Sequence, residues 1–172
     1  MLLCYTSYLH MKNQNFQILP ITAGDRSWIF PLLKENWGSL TMVSRGRYYN
    51  VSENPGFTAK KDGQPAGLIT YEILGDECEI TSLQSMSEGE GIGSALITAV
   101  KEEAEKAGCK RLVVLTTNDN AHAFRFYQKR GFTLSAVHPN SMEAARKLKP
   151  EIPLIGMDGI PMRDEIEFEM VL

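Results

Sequence analysis

Residues 88–132 read EGEGIGSALITAVKEEAEKAGCKRLVVLTTNDNAHAFRFYQKRGF, and this stretch decides how the rest of the chain is arranged. It divides into a glycine loop (Gly89, Gly91, Gly93), an amphipathic run, a short apolar run, a second amphipathic run and a closing Gly131-Phe132. Glycine lets backbone approach a ligand closely and reaches positive φ at no steric cost. The loop leads straight into a helix, whose first N–H groups have no acceptor within the helix. Those donors and the helix dipole favour an anion. The stretch therefore predicts a phosphate-bearing ligand at the N-terminus of a helix that begins near Gly91.

Spacing excludes two common phosphate loops. A Walker A loop needs Gly-Lys-Ser/Thr after four spacer residues, and the chain has no such run. A dinucleotide fingerprint needs G-x-G-x-x-G, but the third glycine position is Ser94 counted from Gly89 and Leu96 counted from Gly91. What remains resembles the pyrophosphate loop of the GNAT acetyltransferase superfamily, Gln/Arg-x-x-Gly-x-Gly/Ala, at Glu88, Gly91 and Gly93. Glu88 departs from the family's Gln or Arg. Because backbone amides do most of the binding, the loop survives the change provided that the carboxylate points away. Asn120, Ala123, Phe126, Tyr127, Gly131 and Phe132 resemble the family's Asn-x-x-Ala-x-x-Phe/Leu-Tyr-x-x-x-Gly-Phe helix. Both motifs stand in the family's order. The resemblance is most specific over residues 77–138, and the tail IPLIGMDGIPMRDEIEFE resembles a bacterial subfamily whose substrate is not assigned.

The resemblance implies an α/β (α+β) acyl-CoA N-acyltransferase fold, with a central mixed, mostly antiparallel sheet flanked by helices. It implies transfer of an acetyl group from acetyl-CoA to a primary amine by direct attack in a ternary complex, with no metal. Pyrophosphate would be held by Gly89, Glu90, Gly91, Ile92, Gly93 and Ser94. The pantetheine arm would pair with the strand edge at Leu83, Gln84 and Ser85, with Asn120, Ala123 and Phe126 beside it. A backbone donor near Leu83 or Ser85 would stabilise the thioester oxygen as it gains charge. Tyr127 would protonate the departing thiolate; Asn120 is equally a helix N-cap. Some family members deprotonate the amine with a carboxylate on the strand before the glycine loop. Glu79 and Glu77 lie there, two apart and so on one face of a regular strand, although the family often bulges this strand. A solvated strand face is the alternative for Glu79. His138 and His122 are weaker base candidates. A non-catalytic acyl-CoA-binding sensor and a transferase for another acyl-CoA are the rival functions.

The chain has 172 residues, 43% hydrophobic and 23% charged, which fits one ordinary domain with a real core. A formal net charge of -3 is not the basic footprint of a nucleic-acid binder. Cys4, Cys78 and Cys109 are an odd set without metal-ligand spacing, so buried free thiols in a reducing, cytoplasmic compartment are expected. MLLCYTSYLHMK lacks a signal peptide's pattern, and no apolar run approaches a membrane span. Residues 1–15 are expected to be an extension, with Met11 an alternative start, and residues 16–172 a single domain.

Along the chain, residues 16–22 read as a strand, with Thr22 or Asp25 capping a helix whose stripe is Trp28, Ile29, Leu32 and Leu33. Pro31 is expected early in that helix, which stops near Gly38. Residues 41–44 read as a short strand and 45–47 as a turn. Trp37, Arg45 and Tyr49 are either acceptor contacts or, respectively, core, solvated charge and core. Residues 57–74 read as a hairpin about Asp62-Gly63, and 77–84 as a further antiparallel strand. The helix after the glycine loop ends at Gly108, 112–115 is an apolar strand, and 132–138 another. Residues 139–162 interrupt the pattern with a short helix (141–148) and a Pro/Gly-rich loop. Ile152, Leu154, Ile155 and Ile160 are too apolar for a freely solvated tail, so this insertion is expected to be ordered. It either walls the acceptor site or packs as a segment, for example in a homodimer. Ile166, Phe168 and Met170 alternate in the last strand.

Overall fold

Short β-forming runs separated by glycine turns assemble into one large sheet. The computed structural model describes residues 15–172; the expected extension, with Cys4 and Met11, lies outside the described residues, Asn15 apart. The elements are β1 (Gln17–Pro20), α1 (Arg26–Trp37), β2 (Thr41–Ser44), β3 (Arg47–Asn50), β4 (Gly56–Lys61), β5 (Gln64–Leu74), β6 (Glu77–Ser85), α2 (Ile92–Lys106), β7 (Arg111–Thr117), α3 (Ala121–Gln128), β8 (Thr133–His138), α4 (Ser141–Leu148) and β9 (Glu165–Val171). Seven strands pair in the order β1-β4-β5-β6-β7-β9-β8, and β2 and β3 form a separate hairpin. Within the large sheet β6–β7 is the parallel pair; the other neighbours are antiparallel. The β4–β5 hairpin turns at Asp62 (φ 51°) and Gly63 (φ 77°), the two consecutive positive φ values that a tight primed turn requires.

Alternation along the strands gives the sheet two unlike faces. Ile69 and Tyr71 of β5, Cys78 and Ile80 of β6, Leu112 and Val114 of β7, and Ile166 and Phe168 of β9 pack into one core with Ile92, Leu96 and Val100 of α2 and with Tyr127 of α3. Burying a side chain such as Phe168 there contributes about 1.5–3 kcal/mol. Their neighbours Glu77, Glu79, Glu165 and Glu167 are buried and, by the period of two, lie on the other face. On that side Leu68 of β5 forms a second core with Ile29 and Leu33 of α1 and Val51, against which Met42 and Tyr49 of the β2–β3 hairpin pack.

Two expectations are corrected. α1 begins at Arg26, so Pro31 lies in its interior and removes a rung of the helix ladder rather than falling in the first turn. The turn expected over 45–47 is shorter: Arg45 (φ 49°) and Gly46 (φ 72°) turn, and Arg47 already opens β3. Strands of four residues carry too little periodicity to stand out in a sequence. Among the described residues no helix is long and apolar enough to cross a membrane.

Candidate active site

β6 and β7 pair from Glu77 to Ile80 against Arg111 to Val114 and then part. β6 continues on β5 as far as Ser85, and β7 continues on β9 as far as Thr117. The fork coincides with a bulge. Thr70 faces Ser82 and Tyr71 faces Ile80, so Thr81 has no partner on β5; an extra residue bends a strand and increases its twist. The Thr81 hydroxyl is fixed by the Thr70 hydroxyl at 2.8 Å and the Asn54 amide at 2.9 Å, and the Ser82 hydroxyl meets Thr70 at 2.6 Å. Residues 81–85 of β6 thus lack a neighbour on their β7 side.

A cavity of about 760 Å³ opens at the fork. On one side it is walled by Thr81, Ser82 and Leu83 of β6, Leu115 to Thr117 of β7, and Asn120, Ala123 and Tyr127 of α3. Tyr127 is buried, its ring edge-on to Phe126 and Phe132 at centroid separations of 5.3 and 5.5 Å. Burial pushes its phenol pKa up, against a smaller opposing effect of Arg130. Its hydroxyl has no hydrogen-bond partner among the described residues. The Asn120 side chain accepts the Ala123 N–H at 3.0 Å, so it is the N-cap of α3 and also lines the cavity.

The glycine loop follows where β6 leaves the sheet. Gly91 is the N-cap of α2 with φ 82°, a conformation that bulkier residues adopt only under strain. Gly93 is constrained differently: a Cβ there would lie 2.9 Å from Phe126 Cζ, so this glycine lets α3 pack against the first turn of α2. Glu88 is exposed, and Glu90 is tied to Lys61 at 2.7 Å. Arg130, which the sequence did not flag, stacks on Phe126 at 3.4 Å and donates to Ser94 Oγ at 2.9 Å. A cation therefore stands beside the anion-favouring end of α2. Gln84, Ser85 and residues 89–94 lie outside the cavity wall, at the end of β6 that leads away from it.

The other side of the cavity is built from distant segments. Trp37 and Gly38 end α1, and Met42, Val43, Ser44 and Tyr49 come from the hairpin. Met142, Lys149, Ile152, Ile155, Met157 and Met162 come from α4 and the strap that follows it. The insertion is thus ordered and lines the cavity. Arg146 knits the strap together, donating to the carbonyls of Ile152 at 3.2 Å, Pro153 at 2.7 Å and Met162 at 2.6 Å. Lys149, buried, donates to the carbonyls of Trp37 and Thr41, each at 2.9 Å, and burial lowers its pKa. Asp119 accepts the Met157 N–H at 2.8 Å. Asn118 accepts the N–H groups of Arg163 and Asp164, each at 2.9 Å. The strap is therefore tied to both the α1 end and the β7 end of the cavity.

The glutamates divide sharply. Glu79 lines the cavity and is 1% exposed. It is held by Arg45 at 2.5 Å and Arg47 at 3.4 Å, with the Tyr49 hydroxyl donating at 3.4 Å. Burial, then the Glu79 charge, pushes the Tyr49 pKa up. Glu77 lies outside the cavity wall, between Arg45 and Arg111 at 2.5 Å each. Burial would raise its pKa, but the two arginines outweigh it and hold the carboxyl below its usual range. Arg45 is therefore neither solvated charge nor a free acceptor contact. Glu165 also lines the cavity, and the sequence did not single it out. The only signal was its place in the alternation Glu165-Ile166-Glu167-Phe168-Glu169, where the apolar residues fix the core face. His138 bonds Glu167 at 3.0 Å, and His122 lies in the first turn of α3, its ring stacked with Phe126. Neither lines the cavity. Cys78 and Cys109 are buried free thiols, and burial pushes the Cys78 thiol up to about 12.

The chain is similar to known proteins in sequence and in fold. The Bacillus subtilis (strain 168) protein YdhI is 44% identical over 156 residues, covering 90% of this chain and 98% of its own. A GNAT family acetyltransferase from Elizabethkingia anophelis, solved with acetyl-CoA bound, shares 23% identity and a TM-score of 0.69, covering 93% of this chain and all of its own. A Bacillus subtilis acetyltransferase solved in complex with CoA shares 18% identity and a TM-score of 0.64, covering 93% and 99%. The model of the acetyltransferase (GNAT) family matches residues 25–132. The chain belongs to the GNAT acetyltransferase family.

Proposed function

We propose that this protein is an acetyl-CoA-dependent N-acetyltransferase that acts on a primary amine by direct attack in a ternary complex. The observation that carries the reading is Tyr127, a buried phenol whose hydroxyl has no partner among the described residues, in the wall of a cavity that runs from the fork to the strap. The residues at the fork fit a CoA-type ligand. The α2 N-terminus, with Gly91 at φ 82° and Arg130 beside Ser94, suits a pyrophosphate. The unpaired β7 side of residues 81–85 suits a peptide-like arm, because exposed strand backbone pairs with such a chain. Backbone N–H groups there stabilise the thioester oxygen in this reading as it gains charge. Tyr127 gives its proton to the sulfur as the carbon–sulfur bond breaks. Its raised pKa keeps it protonated until the thiolate forms. Acetyl-CoA supplies the acyl group as a cosubstrate, and the two reactants meet at the fork from opposite sides.

Thiol release from acetyl-CoA, measured across a panel of primary amines, tests this. Tyr127→Phe is expected to lower turnover about a hundred- to ten-thousandfold with acetyl-CoA affinity unchanged. Equal turnover where chemistry limits the rate excludes Tyr127 as the acid. Thiol release that no amine accelerates in the wild type points instead to an acyl-CoA-binding module.

A further inference from the structure

An amine acceptor reaches the site as an ammonium and must lose a proton before its nitrogen can attack. Six glutamates are brought together on or around the hairpin side of the sheet: Glu72 on β5, Glu77 and Glu79 on β6, and Glu165, Glu167 and Glu169 on β9. Among the described residues, five of them have an ion-pair partner. Glu72 meets Arg47 at 3.2 Å, Glu77 and Glu79 share Arg45 at 2.5 Å, Glu167 has Arg111 at 3.6 Å, and Glu169 has Arg111 at 2.8 Å. A carboxylate gripped by a guanidinium is a poor proton acceptor, because the cation stabilises its charged form. Glu165 is the exception. It is 4% exposed, lines the cavity, has no ion-pair partner among the described residues, and its carboxylate accepts the Arg45 backbone N–H at 3.4 Å with the Ser141 hydroxyl beside it.

We propose that Glu165 is the general base, the group that takes the proton from the acceptor ammonium. The proposal rests on the N-acetyltransferase function. Glu165 stands at the open end of the fork, opposite Thr117 of β7 and His138 of β8. Its own backbone N–H is anchored on Ser141 Oγ of α4 at 2.9 Å, so strand and insertion together fix its position. The groups that act on it are Glu79 from β6, His138 from β8, Ser141 from α4 and the Arg45 amide from the hairpin. Burial, the largest effect, and the nearby Glu79 charge raise its pKa, while Arg45, Ser141 and His138 lower it less. A carboxylate set above its ordinary range is a better base near neutral pH than a solvated one. The step balances. Glu165 takes one proton from the ammonium and later gives it to solvent. The amine nitrogen then bonds to the thioester carbon while the carbon–sulfur bond breaks. The sulfur gains its proton from Tyr127, which the second amine proton restores through solvent.

The test compares wild type and Glu165→Gln on two sets of acceptors. Ethanolamine, benzylamine and alanine amide are charged near neutral pH; trifluoroethylamine and aminoacetonitrile are largely neutral. For a charged acceptor, Glu165→Gln is expected to lower kcat/KM about a hundred- to ten-thousandfold. For a neutral one the loss should shrink at least tenfold, with acetyl-CoA affinity unchanged in both. The wild-type kcat/KM for a charged acceptor should hold a plateau below the acceptor's own pKa and fall only with a limb above the ordinary carboxylate range, whereas the variant should lack the plateau and fall continuously below the acceptor's pKa. Equal losses on both sets, or a plateau that persists in the variant below the acceptor's own pKa, overturn the proposal. If Glu165→Gln does not fold, Glu165→Asp, which keeps the carboxylate and withdraws it, should show the same dependence on acceptor basicity; no such dependence overturns the proposal. A wild type that no amine in either set activates instead removes the function on which it rests.

Discussion

The proposed cofactor side of the fork is one continuous stretch, residues 81–132, and the groups it offers are mostly backbone: an N-terminal helix turn, an unpaired strand edge and a capped helix. The proposed acceptor side gathers the end of α1, the β2–β3 hairpin, the strap and Glu165, and the groups it offers are side chains. Backbone donors keep their positions whatever residues carry them, so such a site is written in spacing and glycines. A side-chain site is written only in which distant residues meet. The two halves should therefore fail independently, and three variants probe that separation.

The largest effect is expected at Arg45. Its guanidinium lies between Glu77 and Glu79, and the side chain is 22% exposed. Arg45→Met leaves two buried carboxylates facing each other across one strand face, with Arg47 and Arg111 remaining as more distant compensation. Removing one partner of such a cluster costs about 3 kcal/mol, read from urea unfolding. The sign with pH follows from Glu77, whose carboxyl Arg45 and Arg111 hold low against the effect of burial. A depressed carboxylate contributes its stability above the unfolded pKa and loses it as pH falls through the folded one. The gap between wild type and variant should thus be full at neutral pH and narrow in acid. Acetyl-CoA affinity of the folded variant should not change; a large loss would show that the two halves are coupled.

Gly91→Val attacks the other side. A β-branched residue at φ 82° is strained, and its side chain stands where a pyrophosphate would approach. Wild type at a hundredfold excess of acetyl-CoA over its dissociation constant should gain about 2.7 kcal/mol of stability. The variant should gain almost none in a thermal-shift titration, while its unliganded fold keeps the strap and hairpin. Undiminished stabilisation would mean that the loop is not the phosphate site.

The same division explains how much the sequence revealed. Residues 88–132 disclosed the loop, α2, β7 and α3 because every determinant is local: Gly91 at the cap, Asn120 at the next cap, Tyr127 seven residues on. Glu79 was legible as a strand carboxylate, but not its capture by Arg45, which depends on a hairpin turn thirty-four residues earlier. Glu165 was hidden by similarity to its own neighbours. Glu165, Glu167 and Glu169 look alike in the sequence, and only the positions of Arg111 and His138 distinguish them. Gly93 was legible as essential but for a different reason, since the group that excludes a side chain there is Phe126. The strap's apolar residues signalled order, and its ties through Arg146, Lys149 and Asp119 came from pairings that no periodicity encodes.

The smallest effect is expected at Lys149, and it sharpens the comparison most. Its ammonium is buried and bridges the carbonyls of Trp37 and Thr41 from the strap. Lys149→Met keeps the length and removes the donors, so two buried carbonyls lose partners at a cost offset by the relief of burying a charge. The net destabilisation should be about 1–2 kcal/mol. Burial, only partly opposed by Glu151, holds the lysine's pKa down in the fold. The unfolded chain therefore binds that proton more readily, and wild-type stability carries a component that rises with pH through the alkaline range. The methionine variant should lack it, which identifies the ammonium itself rather than a packing change. Because the bridge joins the strap to the end of α1 and touches nothing at the glycine loop, acetyl-CoA affinity should hold while kcat/KM for the amine falls. If the amine parameters are unchanged and only stability moves, the strap is packing and the acceptor is read elsewhere. If acetyl-CoA affinity falls with them, the two sides of the fork are one cooperative unit, and the contrast between backbone site and side-chain site does not extend to their energetics.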